Sequence, residues 1–219
     1  MTQKPARCVL VTGFTPFGGE RTNPSWEVAR RLPDSVAGYR LEKLRVPTEF
    51  GKAIAITTRA IDELAPSIVI CFGQAGGRTC MSVERIAINV NDARIADNAG
   101  RQVIDEAIRA DGPDAYFCTV PIKAMVAAMT RADVPANVSN TAGTFVCNDL
   151  IYGVLHHIAM TKRSTRAGFI HVPYLESQVR HKPGDASMSL ATMITGAKAA
   201  IMAAIKNKTD LKLSGGALH

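Results

Sequence analysis

The sequence predicts an α/β protein with a mostly parallel sheet and helices on both faces. Three observations carry that prediction. Strand-like and helix-like segments alternate along almost the whole chain, as crossover connections between parallel strands require. Two apolar runs, "CVLVTG" (8–13) and "SIVICFG" (67–73), end abruptly in Gly, as buried strands do. No linker, repeat or low-complexity stretch divides the 219 residues, so one domain over 1–219 is expected, with 207–219 as a frayed tail.

The elements follow in order. After the first strand, "NPSWEVARRL" (23–32) starts as a helix should, with Asn23 able to cap and Pro24 in the first turn. "YRLEKLRV" (39–46) is a weaker strand. Phe50, Ile54, Thr57, Ile61 and Leu64 recur at helical spacing, and Pro66 stops that helix. After the strand at 67–73, "MSVERIAINV" (81–90) alternates as a second strand, and "AYFCTV" (115–120) reads as another. Pro121 opens a helix with Ile122, Met125, Val126 and Met129 on one face, and "ANVSN" (136–140) is a short strand. From Val146 the helical period runs through Leu150, Val154, Leu155 and Ile158. "AGFIHVP" (167–173) is a strand and 188–205 a closing helix.

Composition excludes several classes. No apolar run approaches the ~20 residues of a membrane span, and the N-terminus carries no long apolar core or cleavage site, so a cytoplasmic, unprocessed protein is expected. Five cysteines, an odd number with no C-x-x-C pair, argue against a disulfide framework or zinc ribbon. The net charge of +7 is dispersed and not interleaved with aromatics, which argues against nucleic acid.

In mostly parallel sheets, ligands bind beyond the carboxyl ends of strands. Four segments follow strands here: "TGFTPFGG", "GQAGGR", "SNTAGTFVC" and "HVP". The first has the G-x-x-x-x-G spacing at Gly13 and Gly18, but Gly19-Glu20 stand where a phosphate-binding loop needs Lys and Ser or Thr. A nucleotide is therefore rejected. Phe14 and Phe17 in that loop either fold into the core or wall an apolar pocket. On a strand, Glu84 shares a face with Ile86, Ile88 and Val90, so a buried carboxylate needs a partner, either an arginine or an oriented histidine. His171 closes an apolar strand at the end where sites form. Cys147 lies in the first turn of its helix, where free N–H groups favour a thiolate and can hold an oxyanion. It also shares a face with Ile151, Val154 and Ile158, as a small core residue would. A thiol, a strand-end histidine and a carboxylate on three elements together fit nucleophilic catalysis. No metal-ligand spacing is present.

Six blocks, "TGFTPFGG", "GQAGGR", "VERIAIN", "DARIADN", "SNTAGTFVCN" and "IHVP", occur in the order and at the separations of a known family. Over residues 7 to 205 the chain resembles the type I pyroglutamyl peptidases, also called pyrrolidone-carboxylate peptidases. The resemblance implies an open, twisted α/β/α sandwich and a cytosolic cysteine peptidase without metal or organic cofactor. It implies removal of N-terminal pyroglutamate from peptides through a thioester acyl-enzyme, and a homotetramer. Position by position, Cys147 would be the nucleophile, His171 the general base and then acid, and Glu84 the group orienting His171. The Cys147 backbone N–H and Arg94 would hold the oxyanion. Phe14, Phe17, Phe145 and Val146 would surround the lactam ring, with Thr48 and Gln74 beside it. The chain departs from the family pattern at Glu176 and Ala96, where Pro is usual, which bears on two loops rather than on a catalytic group. Two other readings suit the same sheet: a nucleoside phosphorylase, which would need a cationic phosphate site and not Cys147, and a silent binding protein that kept the pocket.

Overall fold

A computed structural model describes residues 6–216. Its elements are β1 (Ala6–Phe14), α1 (Pro24–Arg31), β2 (Ser35–Val36), β3 (Tyr39–Val46), α2 (Lys52–Leu64), β4 (Pro66–Gln74) and β5 (Met81–Glu84). There follow β6 (Ile86–Ile88), β7 (Ala115–Phe117), α3 (Ile122–Arg131), β8 (Ala136–Ser139), α4 (Val146–Met160), β9 (Arg166–Val172) and α5 (Leu190–Lys206).

Local chemistry starts and stops the helices where the sequence signals it. Asn23 caps α1, its Oδ1 accepting from the Ser25 N–H at 3.0 Å, with Pro24 at the first helical position. Helix α2 ends on Ala65 in the left-handed conformation, and Pro66 then opens β4. Ser189 caps α5 through the Thr192 N–H. Gly13 is required by packing rather than by phosphate: a Cβ there would stand 2.6 Å from the Ser25 carbonyl oxygen and from the Trp26 Cα.

Seven strands form one sheet in the order β2-β3-β1-β4-β9-β5-β8. Strands β3, β1, β4 and β9 run parallel to one another. Strand β2 is antiparallel to β3 at one edge. Strand β5 is antiparallel to β9, and β8 follows β5. The mostly parallel expectation holds, with a reversal beyond β9. Helices α1, α3 and α5 cover one face over Val9, Val11, Ile70, Phe72 and Ile170, while α2 and α4 cover the other over Leu10, Val69, Cys71 and Phe169. Alternate residues of each central strand thus feed two apolar layers. No helix among the described residues is long and apolar enough to cross a membrane.

Two expectations are corrected. The run 81–90 is not one strand: β5 ends at Glu84, and β6 pairs with β7 in a separate antiparallel ribbon. Glu84 therefore does not share a strand face with Ile86, Ile88 and Val90. The chain leaves the main sheet because Asn148 of α4 captures it, bonding the Ile88 N–H and the Ile88 and Val90 carbonyls at 2.8–3.0 Å. The strand at 115–120 stops at Phe117, after which the Cys118 N–H donates to Arg85 and the Thr119 N–H to Ala167. Residues 207–216 run as irregular, mostly exposed chain with two anchoring points. The Asp210 carboxylate accepts the Lys123 and Ala124 N–H groups at the start of α3, and Gly215 accepts from Arg85. Residues 217–219 of the expected tail lie outside the described residues.

Candidate active site

Five chain segments converge beyond the carboxyl ends of β1, β4 and β9 around a cavity of about 260 Å³. Cys147, His171, Phe14, Phe17, Thr48, Gln74 and Phe145 line it, as do Asn23, Arg78 and the 141–143 loop. Seven of the expected site residues thus meet in one place. A larger groove of about 890 Å³ runs beside α2 and includes neither Cys147 nor His171, so chemistry rather than size locates the site.

Cys147 is the second residue of α4. Phe145 occupies the N-cap position without a side-chain cap, so the first-turn N–H groups stay available. The next two residues fix the rotation of this turn. Asn148 binds the β6 segment, and the buried Asp149 accepts the Gly51 N–H and an Asn91 Nδ2–H, both at 2.9 Å. Cys147 is itself only partly exposed, whereas Ile151, Val154 and Ile158 on its face are buried. It is both a core contact and a cavity residue.

The thiol sits where only glycine leaves room. A Cβ on Gly73 would stand 2.8 Å from the Cys147 Sγ and 2.6 Å from the Phe169 ring. Gly73 is also the register partner of His171 on β9. Gly73→Ala is therefore expected to displace the thiol and the Phe169 ring together. The expected loss is about 1–3 kcal/mol of stability along with most activity, read by thermal unfolding and turnover on the same preparation.

His171, 3% exposed, packs its ring on Phe169 at 4.8 Å and places Nδ1 2.7 Å from the Glu84 Oε1. Ser82 stands opposite His171 in the antiparallel β5–β9 pairing, so Glu84, two residues on, reaches the imidazole diagonally. Glu84 is fully buried. The same Oε1 also accepts from the Arg78 Nη1 at 2.8 Å, and Arg78 Nη2 donates to the Thr141 carbonyl. The two partners left open by sequence, an arginine or a histidine, are both present on one oxygen.

Burial alone would raise the Glu84 pKa, but the His171 hydrogen bond, its charge and Arg78 outweigh it, and the net shift is downward. An ionised carboxylate only accepts, so Nδ1 carries the proton and the His171 Nε2 is the free base. Burial lowers the His171 pKa below its ordinary 6.5, with Glu84 opposing and Arg78 reinforcing. Burial pushes the Cys147 thiol up to about 12, with the Glu84 charge in the same direction and Arg78 against it. A helix N-terminus favours the thiolate, whereas burial raises the thiol pKa and lowers that of the imidazole, both shifts favouring a neutral thiol–imidazole pair.

The cavity walls are aromatic. The Phe17 and Phe145 rings lie 6.0 Å apart, and Phe50 braces Phe145 edge-on at 5.3 Å. Phe14 is buried in the floor. Thr48 donates from Oγ1 to the Thr15 carbonyl at 2.8 Å, holding the β1–α1 loop.

Two expected residues stand apart. Val146 is fully buried in the layer under α4 and does not line the cavity. Arg94 is exposed and is not among the lining residues. Its segment is nonetheless pinned beside the site. Asp92 and Thr144 exchange backbone and side-chain bonds, and Asp97 and Asn98 bind Phe50, Thr48 and Pro16. Arg78, Asn23 and Phe50 were not expected at the site, Asn23 and Phe50 having been read only as helix residues. Arg78 does sit in "GQAGGR", directly before the strand of Glu84, and that adjacency was the one available signal.

A family model described as pyroglutamyl peptidase matches residues 7–207. The chain belongs to the pyroglutamyl peptidase family. A pyrrolidone-carboxylate peptidase of Finegoldia magna is 51% identical, over 96% of this chain and 99% of that protein. One from Cupriavidus taiwanensis is 53% identical, over 96% and 99%. The crystal structure of pyroglutamyl peptidase I from Bacillus amyloliquefaciens superposes with a TM-score of 0.92 at 43% identity, covering 95% of this chain and all of that one. Membership in this family makes the protein a cysteine peptidase, and peptides are its substrate class.

Proposed function

We propose that this protein removes the N-terminal pyroglutamyl residue from peptides, with Cys147 as nucleophile. The observation that carries the reading is the buried Glu84–His171 pair at 2.7 Å, whose histidine lines one small aromatic cavity together with a thiol at a helix N-terminus. The lactam has no charge and no free amine, so a flat apolar slot with a few polar groups suits it. Phe14, Phe17 and Phe145 flank the ring, Thr48 and Gln74 lie beside it, and Val146 supports the wall from below.

The steps follow from the resting protonation. Cys147 Sγ attacks the pyroglutamyl carbonyl as its proton passes to the His171 Nε2. Glu84 stabilises the imidazolium that forms. The Cys147 backbone N–H holds the developing oxyanion. Arg94 joins it by turning inward from a loop already tied to Thr144. The imidazolium then protonates the leaving amine, and a thioester remains. Water attacks that thioester with the His171 Nε2 as base, releasing pyroglutamate and the thiol.

The chain acts as a single catalytic domain and needs no cofactor for these steps. Cytoplasmic placement is supported by five free cysteines. A homotetramer is part of this reading, and Ile104, Phe117 and Met160, each over 60% exposed, are apolar residues that an assembly could cover.

The test is a substrate panel of pyroglutamyl, prolyl and glutamyl coumarin amides with reduced, chelator-treated protein. Turnover of the first alone is expected, reduced at least tenfold in Arg94→Ala. Phosphate-dependent nucleoside cleavage, or ligand binding without turnover, would replace this reading.

A further inference from the structure

We infer that Gln178 is a positioning residue that sets which end of the Gln74 carboxamide faces the substrate. The inference rests on the pyroglutamyl peptidase reading.

The argument starts from a backbone group whose polarity is fixed. The Leu175 N–H donates to the Gln178 Oε1 at 2.9 Å. That oxygen end being taken, the other end of the Gln178 side chain is its Nε2, a donor. It donates to the Gln74 Oε1 at 3.0 Å. A carboxamide whose oxygen is held this way presents its Nε2 as the end open to a ligand. Gln74 lines the cavity directly after β4, so the donor belongs to the cavity. The polarity of a backbone N–H outside the site is thus relayed through two side chains to the substrate pocket.

Gln178 is placed to hold this orientation. It is about nine-tenths buried, and its backbone N–H closes a turn onto the Leu175 carbonyl at 2.9 Å. The Leu175–Gln178 turn is thereby bonded from both sides, without the proline that is usual at position 176. Gln178 Nε2 also lies 3.5 Å from the Thr22 carbonyl, beside Asn23 of the cavity wall. A second tie joins the same two loops, where Lys182 pairs with Glu20. That tie does not involve Gln74.

A donor at this point matches the exocyclic oxygen of a lactam. Prolyl substrates lack that oxygen. A site that presents N–H there selects the oxidised ring, because a buried donor left unpaired costs more than a hydrogen bond returns.

The test is a double-mutant cycle on pyroglutamyl coumarin amide, with Gln178→Met, Gln74→Ala and the pair, all checked by thermal unfolding. Gln178→Met is expected to raise KM about tenfold with a smaller change in kcat, as for loss of one directed hydrogen bond. In the Gln74→Ala background the same change is expected to have no further effect on KM. Gln178→Glu is the second variant and serves if Gln178→Met fails to fold. A carboxylate cannot donate to Gln74, so that carboxamide turns its oxygen inward, and a KM rise larger than that of Gln178→Met is expected. A KM effect of Gln178 variants that persists without Gln74 would show a loop role only and overturn the inference. So would unchanged KM in folded single variants. Absence of wild-type turnover would instead defeat the peptidase reading, and this inference with it.

Discussion

Cys147→Ala is expected to reduce turnover of a pyroglutamyl amide to background while the protein stays folded. The loss is on the order of 10⁵-fold, as when the nucleophile is removed from a catalytic unit of this kind. Folding should survive because alanine removes only one sulfur from a face otherwise held by Ile151, Val154 and Ile158. The wild type carries a second signature. With the thiol pKa pushed up to about 12 by burial, alkylation by iodoacetamide should keep accelerating well above neutral pH rather than level off near it. Turnover needs the neutral imidazole as base, and burial holds the His171 pKa below 6.5. The acid limb of kcat/KM should therefore lie below 6.5. Turnover that persists in Cys147→Ala would remove Cys147 from the mechanism. An alkylation rate that levels off below pH 7 would mean a resting thiolate.

Glu84→Gln is expected to produce the second largest effect, a fall in kcat on the order of 10²- to 10⁴-fold. The amide keeps the shape and loses the charge that stabilises the His171 imidazolium. Glu84 raises the His171 pKa through its hydrogen bond and charge, while Arg78 lowers it. Removing Glu84 leaves only the lowering influences, so the residual activity should show its acid limb at lower pH than the wild type. Stability should fall by about 1–3 kcal/mol, because the buried ends of Arg78 and His171 lose their anion, although Arg78 retains the Thr141 carbonyl and some water. The sign of the pH dependence of stability follows from both depressed pKa values. The unfolded chain takes up a proton on His171 below about 6.5, and the folded chain does so only at lower pH, so stability declines as pH drops through that point. Glu84 adds a further decline below its ordinary 4.5, as its folded-state partners are lost. In Glu84→Gln this last decline should be absent from a urea-denaturation series across pH. A variant with wild-type kcat would leave Glu84 a structural partner of Arg78 alone.

The sequence by itself determined the periodic parts. Apolar runs ended by Gly located β1 and β4, the 3.6-residue spacing located α2, α3 and α4, and Asn23-Pro24 and Pro66 marked helix ends, because those signals act within a few residues. It also determined that a thiol and a histidine stand at element ends, since Cys147 and His171 lie next to visible boundaries, whereas Glu84 was expected inside a longer strand. Tertiary structure decided what crosses the chain. The strand of Glu84 runs against β9, so the carboxylate reaches His171 across a pairing whose direction no local pattern encodes. The break at Arg85 depends on Asn148, sixty residues from the strand it captures. Arg78 joins the pair through a loop whose glycines say only that it can turn. The protonation of Cys147 was decided the same way. Its position at a helix N-terminus is local and legible, but the burial that raises the thiol pKa is supplied by β4, β9 and α4 packed together, and desolvation is a property of the assembled interior.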